Sequence, residues 1–145
     1  MTDKSKELRV SLQLVNDKLH FLGRAGDLDP VSIDYTPPLG DNLGYTSLEM
    51  LLLSLSSCVG SAVLVLLRKM GKHDPGLEIH ASGTRRQEHP TCFSLITLDL
   101  RLKSATVTEA ELVRVIGLAD DKLCPVYAMI RGNVEVVIQH TLVAG

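Results

Sequence analysis

The longest uncharged run in the chain, residues Met50 to Leu67, constrains the fold more than any other feature of the sequence. Its 18 residues reach the lower edge of the length that a helix needs to cross a membrane. Small and polar residues occupy its middle, however, and Arg68 and Lys69 follow at once. This pattern favours a helix buried at the centre of a protein, where an apolar surface on every side is required, over a membrane span.

The uncharged run lies within a longer predicted helix, from about Ser47 to Gly71. Thr46 and Glu49 match the T-x-x-E capping box at its start, and Gly71 provides a stop at its end. Three small residues fall at positions i, i+4 and i+7 of one face: Ser54, Cys58 and Ser61. A face of small residues lets another element approach closely, and we expect that element to be a second helix.

The remaining pattern predicts six strands and one more helix. Apolar and polar residues alternate between Gly, Pro, Asn and Asp turns, which places the strands at Leu8–Val15, Leu19–Leu22, Val31–Tyr35, Leu77–Thr84, Ser94–Leu102 and Val134–Leu142. A second T-x-x-E capping box, Thr108 with Glu111, begins a helix that runs to Leu123. The order β-β-β-α-β-β-α-β predicts an α+β fold in a single domain, residues 1–145, with two antiparallel sheets flanking or wrapping the helices.

Composition and charge argue against several classes of function. Aromatic residues make up 3% of the chain, so few rings can stack on bases, and a net charge of −2 supplies no basic field for phosphates. We therefore expect no nucleic acid partner. The first ten residues contain no apolar secretory segment, which predicts a cytoplasmic protein. The five histidines show no metal-binding spacing and no dinucleotide fingerprint is present, so neither a metal nor another cofactor is expected.

Three cysteines, an odd number without an export signal, indicate reduced thiols and at most a transient disulfide. Cys58 alone, in the middle of the uncharged helix, fits a small core residue. Cys124 changes this interpretation, because it ends the second helix and precedes Pro125, where the chain must turn and the thiol can face a cleft. Cys92, in a His-Pro-Thr-Cys loop between two strands, fits an ordinary turn residue.

Two motifs resemble those of the OsmC/Ohr family of thiol-dependent peroxidases. The first is G-Y-T-S-L-E-M-L-L-L-S-L-S-S-C, Gly44 to Cys58, and the second is K-L-C-P-V, Lys122 to Val126. The resemblance extends over residues 40–137, and the chain looks closer to the OsmC-like branch than to the organic-hydroperoxide enzymes. It implies an intertwined homodimer in which two sheets wrap around long central helices.

The resemblance also implies a two-cysteine peroxidase mechanism. A thiolate at Cys58 would attack the O–O bond of a hydroperoxide and become a sulfenic acid, and Cys124 would condense with it to form a disulfide. An outside dithiol, of the lipoyl type in the family, would then reduce that disulfide. Metal, flavin and haem have no part in this chemistry.

A reactive thiolate requires a nearby cation, since an ordinary thiol is only a few per cent ionised at neutral pH. In the family this cation is an arginine from the N-terminal strands, and a glutamate near the start of the long helix holds it in place. Arg24 is the first candidate for that arginine, with Arg9 and Arg131 as alternatives. Glu49 is the candidate glutamate, but it lies nine residues before Cys58 without the Pro-Glu pair of the organic-hydroperoxide branch, and the capping box by itself explains its position.

A helix that is apolar on all sides needs more cover than 145 residues easily supply, which independently favours a homodimer. The active site is then expected at the subunit boundary, with apolar walls suited to alkyl or lipid hydroperoxides. Two other interpretations stay open. One is a redox-sensing or small apolar ligand-binding protein of the same fold without catalysis, and the other is a dimeric scaffold with no small-molecule role.

Overall fold

The computed structural model describes residues 6–145, apart from the side chain of Asp121. These residues form two compact units, one ending at residue 51 and the other covering residues 52–145. The single domain expected over residues 1–145 remains a prediction. The order of the elements along the described chain is α+β, as the alternating pattern predicted.

The described residues contain six strands and three α-helices. The strands are β1 Ser11–Leu14, β2 Phe21–Arg24, β3 Val31–Ile33, β4 Gly76–Arg85, β5 Phe93–Lys103 and β6 Glu135–Val143. The helices are α1 Ser47–Lys69, α2 Glu109–Leu118 and α3 Pro125–Ile130, with a π-helical turn at Ala119–Leu123. The second helix was predicted to continue to Leu123, but its α-helical hydrogen bonds end at Leu118, where the wider π-helical turn begins.

The first unit is an antiparallel meander, β1-β2-β3, followed by a loop that leads into α1. Asp34, fully buried in this loop, accepts hydrogen bonds from the backbone N–H groups of Tyr35, Asp41 and Leu43 at 2.7, 3.1 and 3.1 Å. Burial opposes ionisation of Asp34, but these donors outweigh it and hold the pKa of the carboxyl below its usual value. The loop can close this tightly because Gly40 has no side chain, and a Cβ there would lie 2.2 Å from the Asp34 carboxylate.

Both predicted boundary motifs of the long helix are present. The Thr46 backbone N–H donates to the Glu49 carboxylate at 2.9 Å, and the Glu49 N–H donates to the Thr46 hydroxyl at 3.3 Å. At the other end Gly71 adopts a left-handed φ of 81°, and the Lys72 N–H returns to the Leu67 carbonyl at 2.9 Å. This is a Schellman arrangement, so α1 ends at Lys69 for the reason that the sequence indicated.

The second unit contains the sheet β4-β5-β6, which is mixed rather than antiparallel. β4 and β5 form an antiparallel hairpin, whereas β5 and β6 are parallel. The expectation of two antiparallel sheets was wrong at this pair, because the chain between β5 and β6 passes through α2 and α3. A crossover of that length returns the chain to the start of the sheet and permits a parallel strand.

One face of this sheet is apolar and meets α1. Ile96, Leu98, Leu100 and Leu102 alternate along β5 and are fully buried. On α1 the buried residues are Leu55, Val59, Gly60, Ala62, Val63 and Leu67. A Cβ at Gly60 would lie 3.1 Å from the Ile79 side chain and 3.2 Å from that of Leu77, so glycine permits close contact between α1 and β4.

The long helix is not covered on every side. Leu51 and Leu53 expose 36% and 50% of their surface, while Leu55 is fully buried. By length and composition alone α1 could also cross a membrane, and 33% of its most apolar 18-residue window is buried within the protein. The apolar surface of α1 is therefore partly buried within this chain and partly exposed.

Gly60→Val should lower the free energy of unfolding by about 1–3 kcal/mol, because the added side chain overlaps Leu77 and Ile79. Gly117→Val is the matched control, since Gly117 also lies in a helix but has nothing within 4 Å of its Cβ position. Valine has a somewhat higher helix propensity than glycine, so the control should be unchanged or slightly stabilised. Urea unfolding measures the free energy of unfolding of both variants. Equal stability of the two variants would contradict the close packing of Gly60 against β4.

Candidate functional site

Cys58 lies in the middle of α1, within the second unit. Its helix neighbours Leu55, Val59 and Ala62 are fully buried, whereas Cys58 itself is half-buried. The packing of α1 on the sheet therefore holds the backbone of Cys58 firmly while its thiol keeps some access to solvent. Its mid-helix position places Cys58 too far from the N-terminus to gain from the helix dipole.

Cys124 is positioned by the irregular segment between α2 and α3. The π-helical turn ends at Leu123, and Cys124 follows in an extended conformation as the N-cap of α3, with Pro125 at the first helical position. Proline suits that position because it needs no hydrogen-bonded N–H there. The Tyr127 backbone N–H donates to the Cys124 sulfur at 3.3 Å, and only 3% of Cys124 is exposed.

The structure brings Cys58 and Cys124 together within one unit. Burial is the larger cause that raises the pKa of the Cys124 thiol to about 12, and the neighbouring Cys58 side chain raises it further. Cys124 therefore keeps its proton at neutral pH. In the unfolded chain this thiol would ionise near its ordinary pKa of 9.0, whereas in the folded chain it keeps its proton up to about pH 12. The free energy of unfolding therefore falls as the pH rises from about 9 towards 12.

Cys92 lies apart from this pair in its chemistry and surroundings. It is exposed in the loop between β4 and β5, where its carbonyl accepts from the Arg86 N–H at 2.9 Å. All three cysteines are free thiols in the structure. The geometry thus agrees with the interpretation of Cys92 as a turn residue.

The candidate arginines and the candidate glutamate lie elsewhere in the chain. Arg24 ends β2, and Glu49 lies in the first turn of α1, both in the unit that ends at residue 51. Arg9 is exposed in that unit and pairs with Glu7 at 3.1 Å. Arg131 is exposed at the end of α3 in the second unit. The participation of any of them in the cysteine site stays a prediction.

Glu49 has the structural role that the capping box predicted. The Thr46 backbone N–H and hydroxyl both donate to its carboxylate, and they lower the pKa of Glu49 below its usual value. The carboxylate is thus already engaged as an ionised helix cap. A catalytic role would be additional to this one.

Neither of two prominent surface clefts in the described residues is lined by Cys58 or Cys124. One of about 560 Å³ lies between residues 7–10 and 25–28 of the first unit. The other, of about 450 Å³, lies where the ends of β4, β5 and β6 meet. No group of three or more His, Cys, Asp or Glu side chains in the described part of the chain could hold a metal ion.

Sequence reasoning missed two features of this site, the π-helical turn and the Tyr127 N–H. Irregular turns of this kind often mark functional sites, but they have no sequence signature of their own. The Tyr127 contact could have been anticipated, because a polar side chain directly before Pro is a common N-cap pattern. The sequence pattern did not predict Cys124 as an N-cap, because the sulfur of cysteine is only a weak hydrogen-bond acceptor.

Comparison with known proteins identifies the family. The sequence profile of the OsmC-like protein family matches residues 40–139, which include both cysteines of the pair. The chain belongs to the OsmC-like protein family. This confirms the resemblance drawn from the Gly44–Cys58 and Lys122–Val126 motifs.

Individual relatives agree with this assignment. Protein YhfA of Escherichia coli K12 is 25% identical over 126 residues, which cover 87% of this chain and 92% of YhfA. A hypothetical protein of Aquifex aeolicus VF5 superposes with a TM-score of 0.85 at 24% identity, covering 97% of this chain and 99% of its own. The organic hydroperoxide resistance protein OhrB of Bacillus subtilis superposes with a TM-score of 0.64 at 16% identity, covering 93% and 98%. The structural matches show that the fold is OsmC-like.

Oxidation with one equivalent of hydroperoxide should link Cys58 to Cys124 within one chain and leave Cys92 free. The first two thiols are already neighbours, whereas Cys92 is exposed in the β4–β5 loop. Peptide mapping under non-reducing conditions identifies the link. A Cys58–Cys92 disulfide, or over-oxidised Cys58 beside two free thiols, would show that Cys124 is not the partner.

Proposed function

We propose that this protein is a thiol-dependent peroxidase that reduces organic hydroperoxides. The observation that carries the proposal is the proximity of a half-buried Cys58 to a nearly fully buried Cys124. In such a pair, the more accessible thiol, Cys58, can attack a substrate. The buried thiol, Cys124, is protected from the substrate and can act as the resolving thiol. OsmC-like family membership and the name of the structurally similar OhrB, an organic hydroperoxide resistance protein, support the same chemistry.

The proposed reaction has three balanced steps. The Cys58 thiolate attacks the outer oxygen of the hydroperoxide, the O–O bond breaks, and the alkoxide takes up a proton to leave as an alcohol, with Cys58 as sulfenic acid. The Cys124 sulfur then displaces the sulfenic oxygen, which leaves as water with the Cys124 proton, and the disulfide forms. A dithiol reduces the disulfide to two thiols and is itself oxidised to a disulfide.

Arg24 and Glu49 are proposed to complete the site. Arginine suits a partly buried thiolate because its charge persists at every relevant pH and its planar fork can also bind a carboxylate. Glu49 is ionised, as a partner for such an arginine must be. Arg9 and Arg131 are the alternative cations.

A second copy of the chain is the proposed partner. Every residue of β1 is exposed although the strand is rich in leucine, and Leu8 and Val10 just before it expose 69% and 80% of their surface. β1 also forms one edge of its three-stranded sheet within the described residues, and an edge strand can pair with a strand of another chain. An apolar edge strand and the exposed leucines of α1 together support a homodimer, with the peroxidase site at the subunit boundary.

A cytoplasmic location and a dithiol reductant belong to the same proposal. Turnover requires that the disulfide be reduced again after each cycle, and reducing compartments keep dithiols available. A lipoyl-type dithiol is the proposed reductant. Nucleic acid and membrane are not proposed as partners.

Cys58→Ser should reduce hydroperoxide consumption to the level of buffer, because serine is nearly isosteric but cannot form a thiolate. Turnover with cumene hydroperoxide and dihydrolipoamide measures the loss. Cys92→Ser is the matched control and should keep wild-type activity, since Cys92 is exposed and outside the pair. Light scattering should give both variants twice the 15.8 kDa mass of one chain. Undiminished turnover by Cys58→Ser would refute the mechanism.

Glu49→Gln tests whether this residue does more than cap its helix. Glu111→Gln is the control, because Glu111 occupies the same capping-box position in α2, and its N–H donates to Thr108 at 3.2 Å. Both variants should lose a similar, small amount of stability, about 1 kcal/mol or less, since glutamine also fits a capping box. Turnover should fall in Glu49→Gln alone. Equal activity in the two variants would leave Glu49 as a cap only.

The second candidate function is redox sensing without turnover. The Cys124 sulfur caps α3, so a change in its oxidation state acts directly on a secondary-structure boundary. A protein that forms the Cys58–Cys124 disulfide stoichiometrically, but consumes no further hydroperoxide when a dithiol is supplied, would be a sensor.

A further inference from the structure

The cleft where the ends of β4, β5 and β6 meet has neither cysteine of the pair in its lining. Its volume of about 450 Å³ is within the range of small-molecule sites. The start of β4 and the ends of β5 and β6 supply its lining residues: Gly76, Leu77, Glu78, Arg101, Leu102, Lys103 and Val143.

The strand register places an open space on the outer face of this sheet. Gly76 pairs with Lys103, and Lys103 pairs with Val143, so these three residues form one row across the strands. Successive residues of a strand point to opposite faces, and Leu102, next to Lys103, is fully buried on the face that meets α1. Gly76 has no side chain, and a Cβ at its position would have nothing within 4 Å. The row therefore leaves room for a ligand next to the Lys103 side chain.

The charged groups of the cleft differ in whether they already have a partner. The Arg101 guanidinium donates from Nε and Nη2 to the Asp99 carboxylate at 3.1 and 3.0 Å. Glu78, opposite Arg101 in the register, has its carboxylate 3.4 Å from His80 Nε2. Lys103 forms no ion pair with any side chain that the structure describes. The cleft thus presents one ammonium group that is available to an anion.

We propose that this cleft binds a small monocarboxylate with an alkyl chain. Its carboxylate pairs with Lys103, and its chain lies over Gly76 against Val143, which exposes 49% of its surface in the free protein. Lysine and arginine side chains cover apolar groups with their aliphatic stems while their charged ends stay in water. Lys103 and Arg101 can therefore contact both the chain and the carboxylate of such a ligand.

The charges around Lys103 favour an anion with a single charge. Asp99, Arg101 and Lys103 alternate along β5 and share the outer face, where Glu78 also lies beside Arg101. A phosphate ester carries roughly two negative charges, and the Glu78 and Asp99 carboxylates would repel the second one. A monocarboxylate satisfies the free ammonium group without that excess charge.

Titration of the full chain with octanoate, followed by nitrogen–proton correlation NMR, tests the proposal. Saturable shifts are expected at the amides of Gly76, Lys103 and Val143, with a dissociation constant on the order of 1 mM for a small ligand in an open cleft. Octylammonium has the same chain and the opposite charge. It should leave these amides unshifted, because Lys103 would repel it.

Substitutions at Lys103 test the role of its charge. Lys103→Met keeps the aliphatic stem and should weaken octanoate binding about two- to fivefold, the range for an exposed ion pair. Lys103→Glu should weaken it about tenfold, since it removes an attraction and adds a repulsion. Lys69→Met is the matched control, because Lys69 is also exposed but lies at the end of α1, and it should bind octanoate as wild type does.

Gly76→Val tests the position of the alkyl chain. Valine suits a strand and meets no other atom at its Cβ, so the variant should fold, which circular dichroism checks. It fills the space next to Lys103 and should weaken octanoate binding at least about fivefold. The absence of saturable shifts up to about 20 mM octanoate, or shifts centred away from this cleft, would overturn the proposal. Unchanged affinity in Lys103→Glu or in folded Gly76→Val would overturn it as well.

Discussion

Close packing between α1 and the apolar face of the second sheet is the contact on which the candidate site depends. Gly60 allows the helix to approach Leu77 and Ile79 on β4, and the neighbouring residues Val59 and Val63 are fully buried. Cys58 lies two residues before Gly60, so its backbone is fixed by the same contact. The position of Cys58 is therefore set by a rigid helix, whereas Cys124 lies on an irregular segment.

The segment that carries Cys124 is irregular, in contrast to the regular helix that carries Cys58. The chain leaves α2 through a π-helical turn and begins α3 at Cys124, and no residue of α3 is fully buried. The sulfur of Cys124 is at once a helix cap and a neighbour of Cys58. The same atom therefore contributes both to the start of α3 and to the contact between the two cysteines.

The local structure of this chain was largely predictable, and its long-range pairings were not. Capping boxes at Thr46 and Thr108 and the stop at Gly71 act over a few residues, so the sequence patterns predicted them correctly. The parallel pairing of β5 with β6 could not be read in this way, because alternation specifies which face of a strand is buried but not the direction of its neighbour. The early end of α2 at Leu118 was also missed, since π-helical geometry has no compositional signature.

The sequence by itself determined the order of the six strands and the two longer helices, the two cysteine motifs and the family to which they belong, because these depend on local spacing along the chain. Only the tertiary structure decided that the Cys58 and Cys124 thiols are neighbours, that Cys124 is the more deeply buried of the two, and that Cys92 is exposed outside the pair. The physical reason is that burial and thiol contact depend on residues far apart in sequence. Cys58 and Cys124 meet because a sheet, a crossover and an irregular turn together return the chain to the middle of α1.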